Sequence, residues 1–289
     1  MESQIGGKLW DMVTARTEAA IRCGKLHRIP TRTETVEQDG IEFVVRLVDS
    51  IERKRIAHLM QPSDENPFLP YDEDLYVTDV SDTHVCLLNK FNVVEHHLLI
   101  VTREFESQDS LLTAADFEAM WICLAEFDSL IFYNSGTIGG ASQPHKHLQQ
   151  VSIPIGTGPE RTPMDAAITR TKVQDRIGVV PVLPFLNAVV GTSELAAASP
   201  AQAALPTLDL YNAMLARLVC RPPADSYNLL ATRDWMLLVP RSVEKYRSIS
   251  INSLGFAGSL LVRDEEELGI VREVGPLEIL RQVAVVEHA

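Results

Sequence analysis

Positive charge is scarce in this chain. Its 289 residues carry 26 lysines and arginines against 39 aspartates and glutamates, a net charge of −13, which argues against a broad electrostatic grip on nucleic acid. No apolar run approaches the length of a membrane span, and the opening M-E-S-Q-I-G-G-K-L-W has neither the charged nor the apolar zone of a signal peptide. A cytoplasmic location without a membrane partner is therefore expected. Cysteines are few: Cys23, Cys86, Cys123 and Cys220 stand far apart without C-x-x-C spacing, so neither a zinc knuckle nor a redox pair is indicated, and reduced, buried thiols are expected. What is present is 46% hydrophobic, enough for a substantial core in one large domain or two closely packed halves.

Periodicity outlines the elements. Leu9, Met12, Val13, Ala19, Ala20 and Cys23 recur at helical spacing over 8–23, with Gly24 as a C-terminal cap. The β-branched run I-E-F-V-V-R-L-V reads as a strand and leads to Arg53, Lys54 and Arg55. N-P-F-L-P-Y-D, from residue 66, reads as a loop, and strands follow at 84–88 and 97–102. Residues 113–129 begin with a capping threonine and an aspartate at the third helical position, then repeat Phe117, Met120, Trp121, Leu124 and Phe127 on one face. A short strand over 131–133 delivers Asn134 to a glycine-rich turn. Beyond Pro154 the texture loosens: 187–206, centred on A-A-A-S-P-A-Q-A-A, reads as an exposed, partly disordered connection. A helical stripe of Leu208, Tyr211, Leu215, Leu218 and Val219 and two paired strands, Y-N-L-L-A-T and D-W-M-L-L-V-P-R, come next. Glu265, Glu266 and Glu267 read as a solvated helix start.

The chemistry concentrates in 134–154, N-S-G-T-I-G-G-A-S-Q-P-H-K-H-L-Q-Q-V-S-I-P. If the segment after Pro144 is extended, His145, His147 and Gln149 project from one face while Lys146 and Leu148 face the other way. Gly136, Gly139 and Gly140 permit the backbone conformations used by anion-binding loops. Three readings compete: two core histidines satisfied by packing; a chelate of one metal ion by imidazoles two apart, which matches the start of a cupin motif but has Val151 and Ser152 where its carboxylate belongs; and a nucleophilic imidazole with an orienting partner and Gln149 as a neutral donor to a phosphoryl oxygen. The third uses all three residues and the glycines.

G-A-S-Q-P-H-K-H-L-Q resembles the H-x-H-x-Q signature of ATP adenylyltransferase, also called diadenosine tetraphosphate phosphorylase, in the histidine triad and galactose-1-phosphate uridylyltransferase superfamily. N-P-F resembles another stretch of that family. L-L-N-K-F-N-V-V-E-H-H-L-L-I-V-T resembles its nucleoside-holding strand, turn and strand, with Asn92 where the family usually has proline. N-S-L-G-F-A-G-S-L-L-V-R resembles its N-S-x-G-x-x-G-x-x-L-V-K, with Arg263 replacing lysine.

The resemblance implies an α+β fold of the histidine triad type, an antiparallel sheet with flanking helices and a duplicated or elaborated second half. It divides the chain into a catalytic part, 1–185, and a part completing the substrate site, 186–289. It implies that His147 attacks the α-phosphorus of diadenosine tetraphosphate, releasing ATP, and that phosphate then takes the adenylyl group to give ADP. A backbone carbonyl near His145 is expected to fix the His147 tautomer. Gln149, Ser142, Gln143 and the Gly140 amide are expected to meet the phosphoryl charge. Lys54, Asn89, Lys90, Asn134, Ala141, Asn252, Ser253, Leu254, Ser259 and Arg263 are carried over as substrate contacts, with Arg263 as a wall for a second phosphate. The implied partners are nucleotides and phosphate. No tightly bound cofactor is implied, although Mg²⁺ can arrive with a polyphosphate. Other enzymes of the superfamily and a noncatalytic nucleotide- or metal-binding protein remain alternatives at this level.

Overall fold

A computed structural model describes residues 5–49, 66–171, 173–174, 176–222 and 224–287. Its centre is a ten-stranded antiparallel sheet. In chain order the strands that matter here are β1 (Thr31–Gln38), β2 (Ile41–Val48), β3 (Tyr76–Asp79), β4 (His84–Leu88), β5 (Leu98–Thr102), β6 (Ser129–Asn134), β7 (His147–Ser152), β8 (Val173–Gln174), β9 (Ile177–Gly178), β10 (Ala188–Gly191), β11 (Ser226–Ala231), β12 (Trp235–Arg241) and β13 (Ser259–Val262). The large sheet runs β8-β9-β10-β12-β11-β6-β7-β5-β4-β3, and β13-β2-β1 form a separate small sheet. Strands from both halves of the chain thus join one sheet, with β11 paired to β6. The expected α+β class holds.

Both faces of this sheet are covered, and the side-chain alternation of its strands sorts residues between them. Leu98, Ile100, Ile131, Tyr133, Leu148, Leu229 and Leu238 pack on one face against helices α1 (Leu9–Arg22), α2 (Ala114–Glu126) and α3 (Pro200–Arg217). On the other face Leu130, Phe132, Val151, Leu230 and Leu237 meet Phe43 and Val45 of β2, Leu260 of β13, and helices α5 (Glu265–Val274) and α6 (Pro276–Val283). Toward β4 and β5 that second face carries a separate group of Phe68, Val85, Leu87, Leu99 and Val101. Double coverage explains why β4, β5 and β6 are buried at every position rather than half-polar.

Three expectations are corrected. The stretch 187–206 is not an exposed connection: it contains β10, the short helix Ser193–Ala196 and the first turns of α3. Ser199 caps α3 in a reciprocal box with Gln202, Pro200 takes the first turn, and Ala203, Ala204 and Thr207 are buried. Glu267 is not solvated; it is buried and accepts from the Arg263 amide and guanidinium. Of the cysteines, Cys23 is exposed at the end of α1 whereas the other three are buried. Among the described residues no helix is long and apolar enough to cross a membrane.

Candidate active site

Strand β7 carries His147 and Gln149. Its register sets Val101 of β5 beside His147, with Leu99 and Phe132 flanking Gln149. His147 and Gln149 share the face of Val151, opposite Leu148, as the spacing predicts. They therefore lie where the Phe68 and Leu99 group meets the Phe132 group.

Hydrogen bonds fix the tautomers. The Nδ1 of His147 is 2.8 Å from the carbonyl oxygen of His145. A carbonyl only accepts, so the ring proton sits on Nδ1 and the Nε2 lone pair is left open. Burial pushes the imidazole pKa down to about 4 against the opposing pull of that carbonyl, which keeps the ring neutral at pH 7. His145 has its Nε2 2.8 Å from the Thr102 carbonyl, so Nε2 donates, and its Nδ1 accepts from the Asn66 amide at 3.0 Å. Asn66 is itself oriented by accepting from the Phe68 N–H. With both nitrogens occupied, His145 is not disposed to share a metal with His147. Among the described residues no group of three or more His, Cys, Asp and Glu is placed to hold an ion. The Phe68 ring stands edge-on to both imidazoles, at 5.6 and 5.4 Å, and Phe105 flanks His145 from another side.

A relay sets Gln149. The Phe91 N–H donates to Asn89 Oδ1, the Asn89 amide donates to His97 Nδ1 at 3.2 Å, and His97 Nε2 donates to Gln149 Oε1 at 2.9 Å. Each link orients the next by exhausting donor or acceptor roles. His97 is buried, and burial pushes its pKa down to about 4. Once the Gln149 oxygen is engaged, its NH₂ is the group left to donate.

The glycine turn is held from below. Asn134 Oδ1 accepts from the Ser253 amide and hydroxyl and from Asn228, which brings the N-terminus of the short helix α4 (Ser253–Phe256) against the turn. Gly140 has φ +92, and a Cβ there would stand 2.8 Å from the Ile251 carbonyl and 3.0 Å from Asn252, so only glycine fits. Asn252 caps α4 through the Leu254 N–H. Beneath lies the buried Arg241, which donates to the carbonyls of Gly139, Ile251, Val243, Glu244 and Val283 and to Asn228 Oδ1. Burial pushes its pKa down to about 10. Asn134 Nδ2 is buried without a partner among the described residues.

His145, His147, Gln149, Asn134, Gly140, Ala141, Asn252, Ser253 and Leu254 thus lie on or beside β7, the turn and α4, and Asn89 joins them through His97. Ser142 is exposed and Gln143 half-buried. One expected donor is already engaged: the Gly140 N–H goes to the Thr137 carbonyl, as the Ala141 N–H goes to that of Gly136, because the turn closes on itself. Lys90 is exposed, with its ammonium over the Phe91 ring. Ser259 is buried beside Arg46. Arg263 is bound to Glu267 and the Ser248 carbonyl and borders a cleft with Arg32, Val48 and Asp49. Lys54 lies outside the described residues. Asn66, Phe68, His97, Thr102, Gln108 and Arg241 were not anticipated as parts of the site. N-P-F was a legible signal for the first two; the others act through contacts distant in sequence.

Residues 2–170 match the family model of the Ap4A phosphorylase N-terminal domain, and residues 181–286 match that of the ATP adenylyltransferase C-terminal domain. The chain is 34% identical to diadenosine 5′,5‴-P1,P4-tetraphosphate phosphorylase 2 of Saccharomyces cerevisiae over 71% of its own length and 70% of that protein. It is 27% identical to protein APA1 of the same organism over 91% and 89%. The solved structure of yeast Ap4A phosphorylase Apa2 in complex with AMP superposes with a TM-score of 0.80 at 27% identity, covering 98% of this chain and 99% of that one. Its complex with Ap4A gives 0.80 at 25% identity, over 97% and 98%. The chain belongs to the Ap4A phosphorylase family of nucleotidyltransferases.

Proposed function

We propose that this protein phosphorolyses diadenosine tetraphosphate to ADP and ATP, and runs the reverse reaction, through an adenylylated His147. The observation that carries the reading is the 2.8 Å contact between His147 Nδ1 and the His145 carbonyl, because it leaves a neutral Nε2 lone pair in a buried site. That lone pair forms a bond to the α-phosphorus as the bond to the bridging oxygen breaks, and ATP departs. An oxygen of inorganic phosphate then attacks the same phosphorus, the P–N bond breaks, and ADP leaves with His147 restored. As charge builds on the non-bridging oxygens, the Gln149 NH₂ and Asn134 Nδ2 supply fixed donors, with Ser142 and Gln143 at the open edge. Asn89, Lys90, Ala141, Asn252, Ser253, Leu254 and Ser259 complete the nucleotide contacts, and Lys54 and Arg263 are assigned to the phosphates, Arg263 from its ion pair with Glu267. In this reading 1–185 carries the chemistry and 186–289 completes the substrate site through α4 and Arg241.

A relative acting on diadenosine tetraphosphate supports the substrate, and the carboxamide at position 149 favours transfer to phosphate over hydrolysis because it cannot share a proton with an entering water. The test incubates the purified protein with diadenosine tetraphosphate, with and without phosphate, and separates the products. ADP and ATP in equal amounts, formed only with phosphate, support the reading. AMP and ATP without phosphate would make it a hydrolase.

A further inference from the structure

The ladder between β6 and β7 ends at Phe132 and Gln149. Continued past Tyr133 and Leu148, the same register would set Asn134 opposite His147, but the side chain of Gln108, from the loop between β5 and α2, bridges them instead. Its Oε1 accepts from the His147 N–H at 2.8 Å, and its Nε2 donates to the Asn134 carbonyl at 2.8 Å and to the His147 carbonyl at 3.2 Å. One carboxamide thus relays the missing rung. Gln108 is itself clamped: it is buried, its N–H donates to the Pro144 carbonyl at 2.8 Å, and its carbonyl accepts from the Tyr133 hydroxyl and the Gly136 N–H. These bonds involve the residues before H-x-H and those opening the glycine turn. By strand parity Asn134 and His147 direct their side chains to the same face, so the inserted amide spaces the two groups between which a phosphoryl centre has to fit.

We propose that Gln108 is a positioning residue, a relay wedged between β6 and β7 that sets the place of the His147 nucleophile relative to Asn134. This rests on the functional reading above. Gln108 has no part in bond making; its contribution is geometric, and small displacements of reacting groups are costly in rate.

The test compares wild-type protein with Gln108→Met, which keeps the side-chain length without its hydrogen bonds, and Gln108→Glu, whose carboxylate repels both carbonyls. For Gln108→Met the expected result is a folded protein with kcat lowered by about 100-fold, KM for diadenosine tetraphosphate changed by less than roughly threefold, and single-turnover adenylylation slowed in step. Gln108→Glu should lose kcat similarly at pH 8 and recover part of it as the pH is lowered, since the protonated carboxyl can again donate to one carbonyl. A folded variant with wild-type kcat, a loss carried by KM alone, or a Gln108→Glu profile parallel to wild type would overturn the proposal. Should neither variant fold, hydrogen exchange in wild-type protein decides: a His147 amide as slow as that of Gln149 supports the relay, and one as fast as exposed loop amides overturns it. Wild-type protein inert toward the dinucleotide would count against the functional reading alone, and the exchange result would still judge the relay.

Discussion

Just before β7, and directed away from the His147 face, the buried Lys146 ammonium stands 3.2 Å from the buried carboxylate of Asp116. Lys146 also donates to Glu106 at 2.6 Å and to the Leu111 carbonyl at 3.1 Å. Asp116 closes the capping box of α2 with Thr113 and receives His84 Nε2 at 3.1 Å. Burial pushes the Asp116 carboxyl up, but the bond from His84 and the charge of Lys146 outweigh it and hold its pKa below the usual value. The residue between the two histidines is thereby anchored to the start of a core helix.

Lys146→Met should therefore destabilise the fold by about 3–5 kcal/mol, since it strands a buried carboxylate. Adding Asp116→Asn to that variant should return part of the loss. Urea unfolding of the single and double variants measures both, and equal stability of Lys146→Met and wild type would contradict the anchor.

Acid should weaken the fold through two histidines. His97 and His147 are both pushed down to about 4, chiefly by burial, from an ordinary value of 6.5. Above pH 6.5 both folded and unfolded forms are neutral and the rings add nothing. As pH falls from 6.5 toward 4 the unfolded chain takes up protons that the native state refuses, so stability declines, by at most about 3 kcal/mol per ring. Thermal unfolding followed across this window should show a smaller decline in His97→Phe than in wild type.

The rate should be insensitive to pH where an ordinary histidine would titrate. With its pKa near 4, His147 stays nucleophilic down to about pH 5, so kcat for adenylylation should lack an inflection near 6.5 assignable to this ring. Single-turnover rates from pH 8 to pH 5 check this. A fall centred near 6.5 that survives in His145 and His97 variants would contradict it.

Gln149→Ala removes a fixed donor and should lower the rate by about 100-fold, or about 3 kcal/mol. His97→Phe should reproduce part of that loss, because the Gln149 oxygen at 2.9 Å from His97 Nε2 would lose its orienting bond. Stopped assays of both variants read the difference.

The sequence made the strands and the motif legible where burial imposes a pattern. Ile41–Val48 and His84–Leu88 were readable to the residue, as was the Thr113 and Asp116 cap. β1 escaped because T-R-T-E-T-V-E-Q is largely solvent-facing and has little apolar alternation. Its signal was the Asp39-Gly40 hairpin, where both residues take positive φ, 52° and 75°, and join Gln38 to Ile41. The stripe of Leu208, Tyr211 and Leu215 marked the later turns of α3, but its first turns escaped because their alanines suggested a linker, although Ser199, Pro200 and Gln202 spell a helix start. Gln108 and Arg241 could not be found this way: each is defined by partners distant in sequence, and neither local spacing nor composition marks such contacts.

The most direct measurement is mass analysis of the peptide containing His147 after the protein is mixed with diadenosine tetraphosphate without phosphate and quenched in alkali, where a phosphoramidate survives. The account predicts one adenylyl group on His147, lost as ADP when phosphate is added before the quench and never formed in His147→Ala. Turnover without any adduct, or an adduct on another residue, would contradict it.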